Sequence, residues 1–141
     1  MFIGEYNHTI DAKGRIIIPS KFRDELGETF VISKGLDGCL YIFPTAEWEI
    51  FLEKLSTMPA GKDTRKIIRY FSAGADQAEI DKQGRVLIKS ELKEHAGLTK
   101  DIVLAGTLNR IEIWSKSVWD SENDDDIDDI AEKMADYGLT I

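Results

Sequence analysis

Cysteine is nearly missing from this sequence: Cys39 stands alone. A disulfide within the chain is therefore excluded, and one thiol fits a reducing, cytoplasmic setting. Missing too is any apolar run near the roughly 20 residues a membrane helix needs. The opening Met-Phe-Ile-Gly-Glu-Tyr-Asn has no basic stretch leading into an apolar one, so it does not read as a signal peptide. His8 and His95 are the only histidines and lie far apart. No Ser/His/Asp set, phosphate-cradling glycine loop or zinc spacing accompanies them. The acidic run from Asp124 fails as an EF-hand, with Asp129 where glycine is required and Ala135 where the closing glutamate belongs. These absences remove support for an enzyme, a metal site, a cofactor or a small-molecule substrate. An excess of positive charge is also lacking, the net being −8. That deficit is local. Residues 120–141 hold nine acids and one lysine, which leaves 17 basic and 17 acidic groups in residues 1–119. A neutral body can still carry a basic patch if its charges are segregated.

What is present is a repeat. Asp-Ala-Lys-Gly-Arg at 11–15 returns as Asp-Lys-Gln-Gly-Arg at 81–85. Both follow an alternating apolar run and open into aliphatic strands, Ile16-Ile17-Ile18 and Val86-Leu87-Ile88. At a spacing of 70 the match includes Ser20 with Ser90, Phe22 with Leu92 and Gly27 with Gly97. One inserted residue then shifts the spacing to 71, setting Val31-Ile32 against Ile102-Val103, Gly35 against Gly106, Phe43 against Trp114 and Trp48 against Trp119. A unit of this size buries too little apolar surface to stand alone. The two copies are therefore expected to share one core about a pseudo-twofold axis.

Each copy reads as strand, turn, strand, short helix and two further strands. Asp11 with Gly14, and Asp81 with Gly84, hold the first and fourth positions of type I turns, where aspartate accepts bonds from its own backbone and glycine tolerates a left-handed conformation. Pro19 and Ser20 start a helix that Gly27 ends. Thr45 is placed as the N-cap of a longer helix whose apolar face is Trp48, Phe51, Leu52, Leu55 and Met58. A basic helix over residues 63–72 sets Ile67, Ile68 and Phe71 on one side. The last helix begins at Asp124–Asp126, which the helix dipole favours; Ile127, Ile130, Ala131 and Met134 form its buried stripe, and Gly138 caps it.

Two uses are open for Arg15 and Arg85. One is an ion pair across the turn to Asp11 or Asp81. The other is contact with phosphate or guanine, which a planar fork of donors suits. Lys13, Lys21 and Arg23 around the first turn, and Lys82, Lys89 and Lys93 around the second, are either solvated charge or a phosphate footprint.

The succession of strand, Asp-x-x-Gly-Arg turn, strand and Ile-Pro-Ser-Lys-Phe-Arg-Asp-Glu-Leu-Gly resembles the SpoVT–AbrB domain. Two such units around a helical linker, opening on Met-Phe-Ile-Gly-Glu-Tyr-Asn-His-Thr-Ile-Asp, are similar to the MraZ family. The resemblance covers residues 1 to 119. It divides that part of the chain into a first repeat at 1–47, a helical linker at 48–75 and a second repeat at 76–119; the acidic run marks a C-terminal helix or tail at 120–141. It implies a β-rich α+β fold of swapped-hairpin, double-ψ barrel-like halves sharing one core. It further implies a cytoplasmic, nucleoid-associated transcriptional regulator of division and cell-wall genes, working as a ring-shaped homo-oligomer on repeated boxes in promoter DNA. Lys13, Arg15, Lys21, Arg23, Lys82 and Arg85 would then face double-stranded DNA, with Asp11, Gly14, Asp81 and Gly84 shaping the turns. A non-catalytic assembly module on the same fold is the alternative. Lys89, where the resemblance calls for proline, leaves the two turns free to differ in use.

Overall fold

The alternating N-terminal residues form strand β1 (Phe2–Thr9), and the Asp11–Gly14 turn sends the chain into β2 (Arg15–Ile17). Helix α1 (Ser20–Leu26) ends where Gly27, at φ +82°, turns its N–H back to the Arg23 carbonyl. Strands β3 (Thr29–Lys34) and β4 (Leu40–Pro44) complete the first copy. The linker holds α2 (Thr45–Ser56) and α3 (Lys62–Ile68), the latter widening into a π-helical turn over Arg69–Ala73. The second copy supplies β5 (Asp76–Glu79), β6 (Arg85–Leu87), α4 (Ser90–His95), β7 (Asp101–Leu108) and β8 (Ile111–Ser115). Helices α5 (Lys116–Glu122) and α6 (Ile127–Asp136) follow. The computed structural model describes residues 1–141.

Six strands form one antiparallel sheet in the order β1-β7-β8-β4-β3-β5, and β2 and β6 make a separate two-stranded ribbon. Exchanging the copies turns that order into its own reverse, which is the signature of a pseudo-twofold. The axis can be located by register. Ile16 faces Val86 in the ribbon and Tyr41 faces Glu112 in the sheet, each pair being equivalent positions of the two copies. β1 and β2, though joined by a tight turn, do not pair with each other; each pairs across to the second copy. The halves are thus swapped, as the fold class requires. The main core lies between sheet and ribbon and takes ten residues from each copy, with Ile16, Ile18, Ile32, Leu40, Ile102, Ile111 and Ile113 fully buried. Neither copy encloses an apolar centre alone.

The opposite face of the sheet packs a second cluster around Phe43, Trp48, Leu55, Phe71 and Trp114. Both faces of β3, β4, β7 and β8 are consequently covered, which explains why β3, β4 and β7 carry apolar runs of three or more residues rather than strict alternation. Phe43 meets Trp48 at 5.4 Å and Trp114 meets Trp119 at 5.7 Å between ring centroids, a matched pair of strand-to-helix aromatic contacts.

Several expectations need correction. Phe30 pairs with Pro44 as Ile102 pairs with Ser115, so Val31-Ile32 is equivalent to Val103-Leu104, not Ile102-Val103. Two residues, Leu98 and Thr99, are inserted after the helix, and the following hairpin is one residue shorter. Ala96 stands where the first copy has Leu26, and the insertion adds a second buried residue, Leu98, to the same core. Thr45 does not cap α2. Pro44 precedes the helix with no side-chain cap, and the Thr45 hydroxyl donates to the Thr29 carbonyl at 3.3 Å. Leu52, Ile67 and Ile68 point outward, while Phe51, Leu55 and Phe71 face the sheet. The apolar stripe of α6 is not buried: Ile127 is 82% exposed and Ile130 45%. Gly138 does cap that helix, at φ +70° with its N–H on the Ala135 carbonyl.

Candidate nucleic-acid interface

Each Asp-x-x-Gly-Arg turn is built by its aspartate. The Gly14 N–H donates to the Asp11 carbonyl at 3.0 Å, and Asp11 Oδ1 accepts from the N–H groups of Lys13 and Arg15, both at 2.9 Å. Asp81 does the same for Gly84, Gln83 and Arg85. Gly14 and Gly84 sit at φ +81° and +79°, where a side chain is strained. Backbone donation from Arg15, above all, holds the Asp11 carboxyl below its ordinary range against a weaker opposing effect of burial, and Arg85 acts alike on Asp81. Each carboxylate thus stays ionised.

The same carboxylates anchor the arginines. Arg15 Nε donates to Asp11 Oδ2 at 2.8 Å and Arg85 Nε to Asp81 Oδ2 at 2.9 Å. The ion pair expected across each turn therefore forms. It does not exhaust the guanidinium, because the Nη groups make no hydrogen bond within the protein. The arginine is oriented through one edge and presents the other, so little side-chain entropy remains to be lost on binding.

The ribbon places both arginines on one surface. Arg15 lies opposite Leu87 and Ile17 opposite Arg85, flanking the central Ile16–Val86 pair. Directly opposed residues share a face and alternate residues share a face. Ile16 and Val86 point into the core; Arg15, Ile17, Arg85 and Leu87 form a diagonal quartet on the outside. Ile17 is 46% and Leu87 55% exposed. Sequence reading named these two only as members of aliphatic strands and gave them no part in the site. The usable signal was the period of two: with one strand residue buried, its neighbours must face out.

Swapping also regroups the lysines. Lys13 does not share a groove with Lys21 and Arg23 of its own copy. It lies with Gly14, Leu87, Lys89 and Lys93. Lys82 lies with Arg23, Asp24, Asp81 and Gly84. The first groove is net basic, with Glu91 set against three lysines; in the second, Asp24, Glu28 and Asp81 offset Arg23 and Lys82. Lys89 bridges Asp76 at 2.9 Å, and that hydrogen bond raises its pKa. Arg23 Nε donates to the Ile18 carbonyl at 2.9 Å, so it braces the ribbon as well. Lys21 stands apart, beside Met1, Ile3 and Tyr6.

Two swapped copies, each presenting an aspartate-braced arginine beside a shared ribbon, define a protein of the SpoVT–AbrB type. The family model described as "MraZ protein, putative antitoxin-like" matches residues 1–69 and again 71–136. The chain is 58% identical to the transcriptional regulator MraZ of Lachnoclostridium phytofermentans over 99% of both chains. It is 56% identical to that of Clostridium tetani, covering 99% of this chain and all of the relative. It is 49% identical to that of Pediococcus pentosaceus, with the same coverage. This chain belongs to the MraZ family.

Proposed function

We propose that this protein is a sequence-specific, DNA-binding transcriptional regulator and not an enzyme, and that the ribbon and its two turns are the surface it lays on the duplex. The observation that carries this reading is the outward quartet Arg15, Ile17, Arg85 and Leu87. A two-stranded ribbon fits the major groove, arginine forks suit guanine O6 and N7, and aliphatic side chains suit the thymine methyl. Lys13, with Lys89 and Lys93 beside it, supplies phosphate contacts around the first turn. Lys82 and Arg23 do so more weakly around the second, where acids offset them. Lys21 contacts phosphate only if the duplex extends toward the N-terminus. No cofactor takes part.

A single ribbon offers few contacts, so several chains in one ring-shaped oligomer on spaced promoter boxes supply the remaining affinity by avidity. The boxes proposed are those upstream of the division and cell-wall gene cluster, including the protein's own promoter. That role places the chain in the cytoplasm, on the nucleoid. Footprinting on DNA upstream of its own gene tests the proposal. Evenly spaced protected repeats, lost steeply as salt rises, are the expected result. A folded protein that protects nothing at low salt would instead be an assembly module on the same fold.

A further inference from the structure

The two turns are not held alike, although the pseudo-twofold sets Ile18 against Ile88 and Arg23 against Lys93 as equivalent positions. Three contacts close on the second turn. The Ile18 N–H donates to the Gly84 carbonyl at 2.9 Å. Arg23 Nε donates to the Ile18 carbonyl at 2.9 Å. The Arg23 guanidinium then fills the space beside Gly84, its Cζ, Nη2 and Nε being the nearest atoms to where a Cβ would stand. On the first turn only one of these recurs: the Ile88 N–H donates to the Gly14 carbonyl at 2.8 Å. The Ile88 carbonyl accepts no hydrogen bond from the chain. A Cβ at Gly14 would meet only that carbonyl oxygen at 3.2 Å and Leu87 Cδ1 at 3.7 Å. Lys93 lines the open groove with Lys13 and Lys89 instead.

The difference follows from the two side chains. The Gly84 N–H is committed to the Asp81 carbonyl at 3.0 Å, which leaves the Ile18 carbonyl without a ladder donor. Arginine can supply one from the edge of its planar group while the rest of that group covers the glycine. Lysine carries its donors at the tip of a flexible stem, as a strongly hydrated point charge, and cannot do both. Arg85 directly follows Gly84, so the clamp fixes the backbone from which Arg85 projects, and fixes it from the other copy. We infer that Arg23 is a positioning residue for Arg85: it presets the second turn for its base contact, while the unclamped first turn adjusts to the duplex and leaves Lys93 free to meet phosphate. The duplicated unit has thus divided one pair of helix cations between two tasks. The inference rests on the DNA-binding reading, but its structural half is read without DNA.

Arg23→Lys in the full-length protein keeps the charge and removes the sideways donor. With circular dichroism unchanged, amide protection at Ile18, Gly84 and Arg85, measured against the unstructured rate, is expected to fall roughly fivefold, the share of one hydrogen bond. On a duplex of one protected repeat from upstream of the gene, Kd is expected to rise roughly fivefold, the low end for one base contact. Mixed-sequence DNA should bind as before, with the same salt slope, because the charge is retained. Arg23→Lys combined with Arg85→Ala should cost little more than Arg85→Ala alone, since the first acts through the second. Lys93→Arg should carry the clamp to the first turn and raise protection at Ile88 and Arg15. Native protection and native affinity in Arg23→Lys would overturn the inference, charge alone then being sufficient. Additive losses with Arg85→Ala would overturn it too, placing Arg23 on the duplex in its own right, as would a Lys93→Arg variant whose first turn is no better protected. A native protein that binds no DNA at low salt would overturn the reading beneath it. The two failures are distinguishable, because protection at Gly84 would still fall in Arg23→Lys.

Discussion

Gly84 lies under the guanidinium of Arg23. A Cβ at residue 84 would come within 2.8 Å of Arg23 Nε and closer still to its Cζ. Gly84 belongs to the second copy's turn and Arg23 to the first copy's helix, so the contact ties the two halves together beside the candidate interface. Gly84→Ala must both strain a backbone at φ +79° and displace Arg23 from the Ile18 carbonyl. A loss on the order of 1–3 kcal/mol is expected in urea unfolding. At Gly14 the nearest atom to an added Cβ is the Ile88 carbonyl oxygen at 3.2 Å, so Gly14→Ala meets the same strain with less collision. It is expected to be the milder change; equal losses would mean that the Arg23 contact contributes nothing.

Arg15→Ala leaves the core untouched and is expected to unfold at the same temperature as the native protein within a few degrees. Losing one bidentate base contact costs about 1–3 kcal/mol, or roughly 5- to 150-fold in Kd for each turn engaged. Arg15→Lys is not a rescue, because a lysine cannot bond Asp11 through one edge and offer a fork through the other. Arg85→Ala is expected to cost less, the groove beside its turn, where Lys82 and Gly84 lie, being lined by Asp24 and Glu28. Fluorescence anisotropy on a single box at fixed salt measures all three. Unimpaired binding by folded Arg15→Ala would remove the ribbon from the interface.

Ile17 and Leu87 provide a separate readout. If they pack on thymine methyls, Ile17→Val and replacement of the contacted thymine by deoxyuridine, each the loss of one carbon, should each weaken binding roughly fourfold, at about 0.8 kcal/mol per buried carbon. Combined, the two changes should cost little more than either alone, since each removes the same contact. Additive losses would show that the aliphatic pair touches something else.

The turns should melt from the acid side. Asp11 and Asp81 both have folded pKa values below their ordinary 3.8. A carboxylate of that kind stabilises the fold fully above its unfolded pKa, and the contribution disappears as pH falls through the folded one. Amide protection at Lys13, Arg15, Gln83 and Arg85, whose N–H groups bond these carboxylates, measured against the unstructured rate at each pH, is expected to hold at pH 5 and to fall away below pH 3.8. Asp11→Asn, which has no carboxyl to protonate, should abolish that transition at the first turn only. Protection relative to the unstructured rate that stays the same at pH 5 and pH 3 would contradict the bracing role.

Leu98 is the buried residue the first copy lacks. Leu98→Ala leaves a void beside Ala96 and is expected to cost about 2–5 kcal/mol by thermal unfolding. Pairing it with Ala96→Leu should recover part of the loss. No recovery would mean that the two side chains do not occupy common volume.

Local chemistry carried far in this chain. The turns at 11–14 and 81–84 depend on contacts within five residues, so their aspartates, glycines and ion-paired arginines were legible from composition and spacing. So were the strands, the short helices and the duplication itself, because the chain states its own periodicity. Equivalence through β3 and β7 was not legible. Two inserted residues and one deleted residue lie close together, and only strand register separates them, since apolar neighbours such as Ile102 and Val103 look alike in sequence. Nor could sequence say that β1 and β2, separated only by residues 10–14, would each pair with the other copy. Hairpin and swapped partner satisfy the same hydrogen bonds, and shared burial of ten residues from each half decides between them. That swap in turn gathers Lys13 with Lys93 and Lys82 with Arg23, and it turns Ile17 and Leu87 outward beside the arginines. Whether an apolar residue ends in a core or on a face depends on what the rest of the fold brings against it. Ile16 met Val86; Ile130, with the same side chain and an equally regular pattern, met nothing in its own chain.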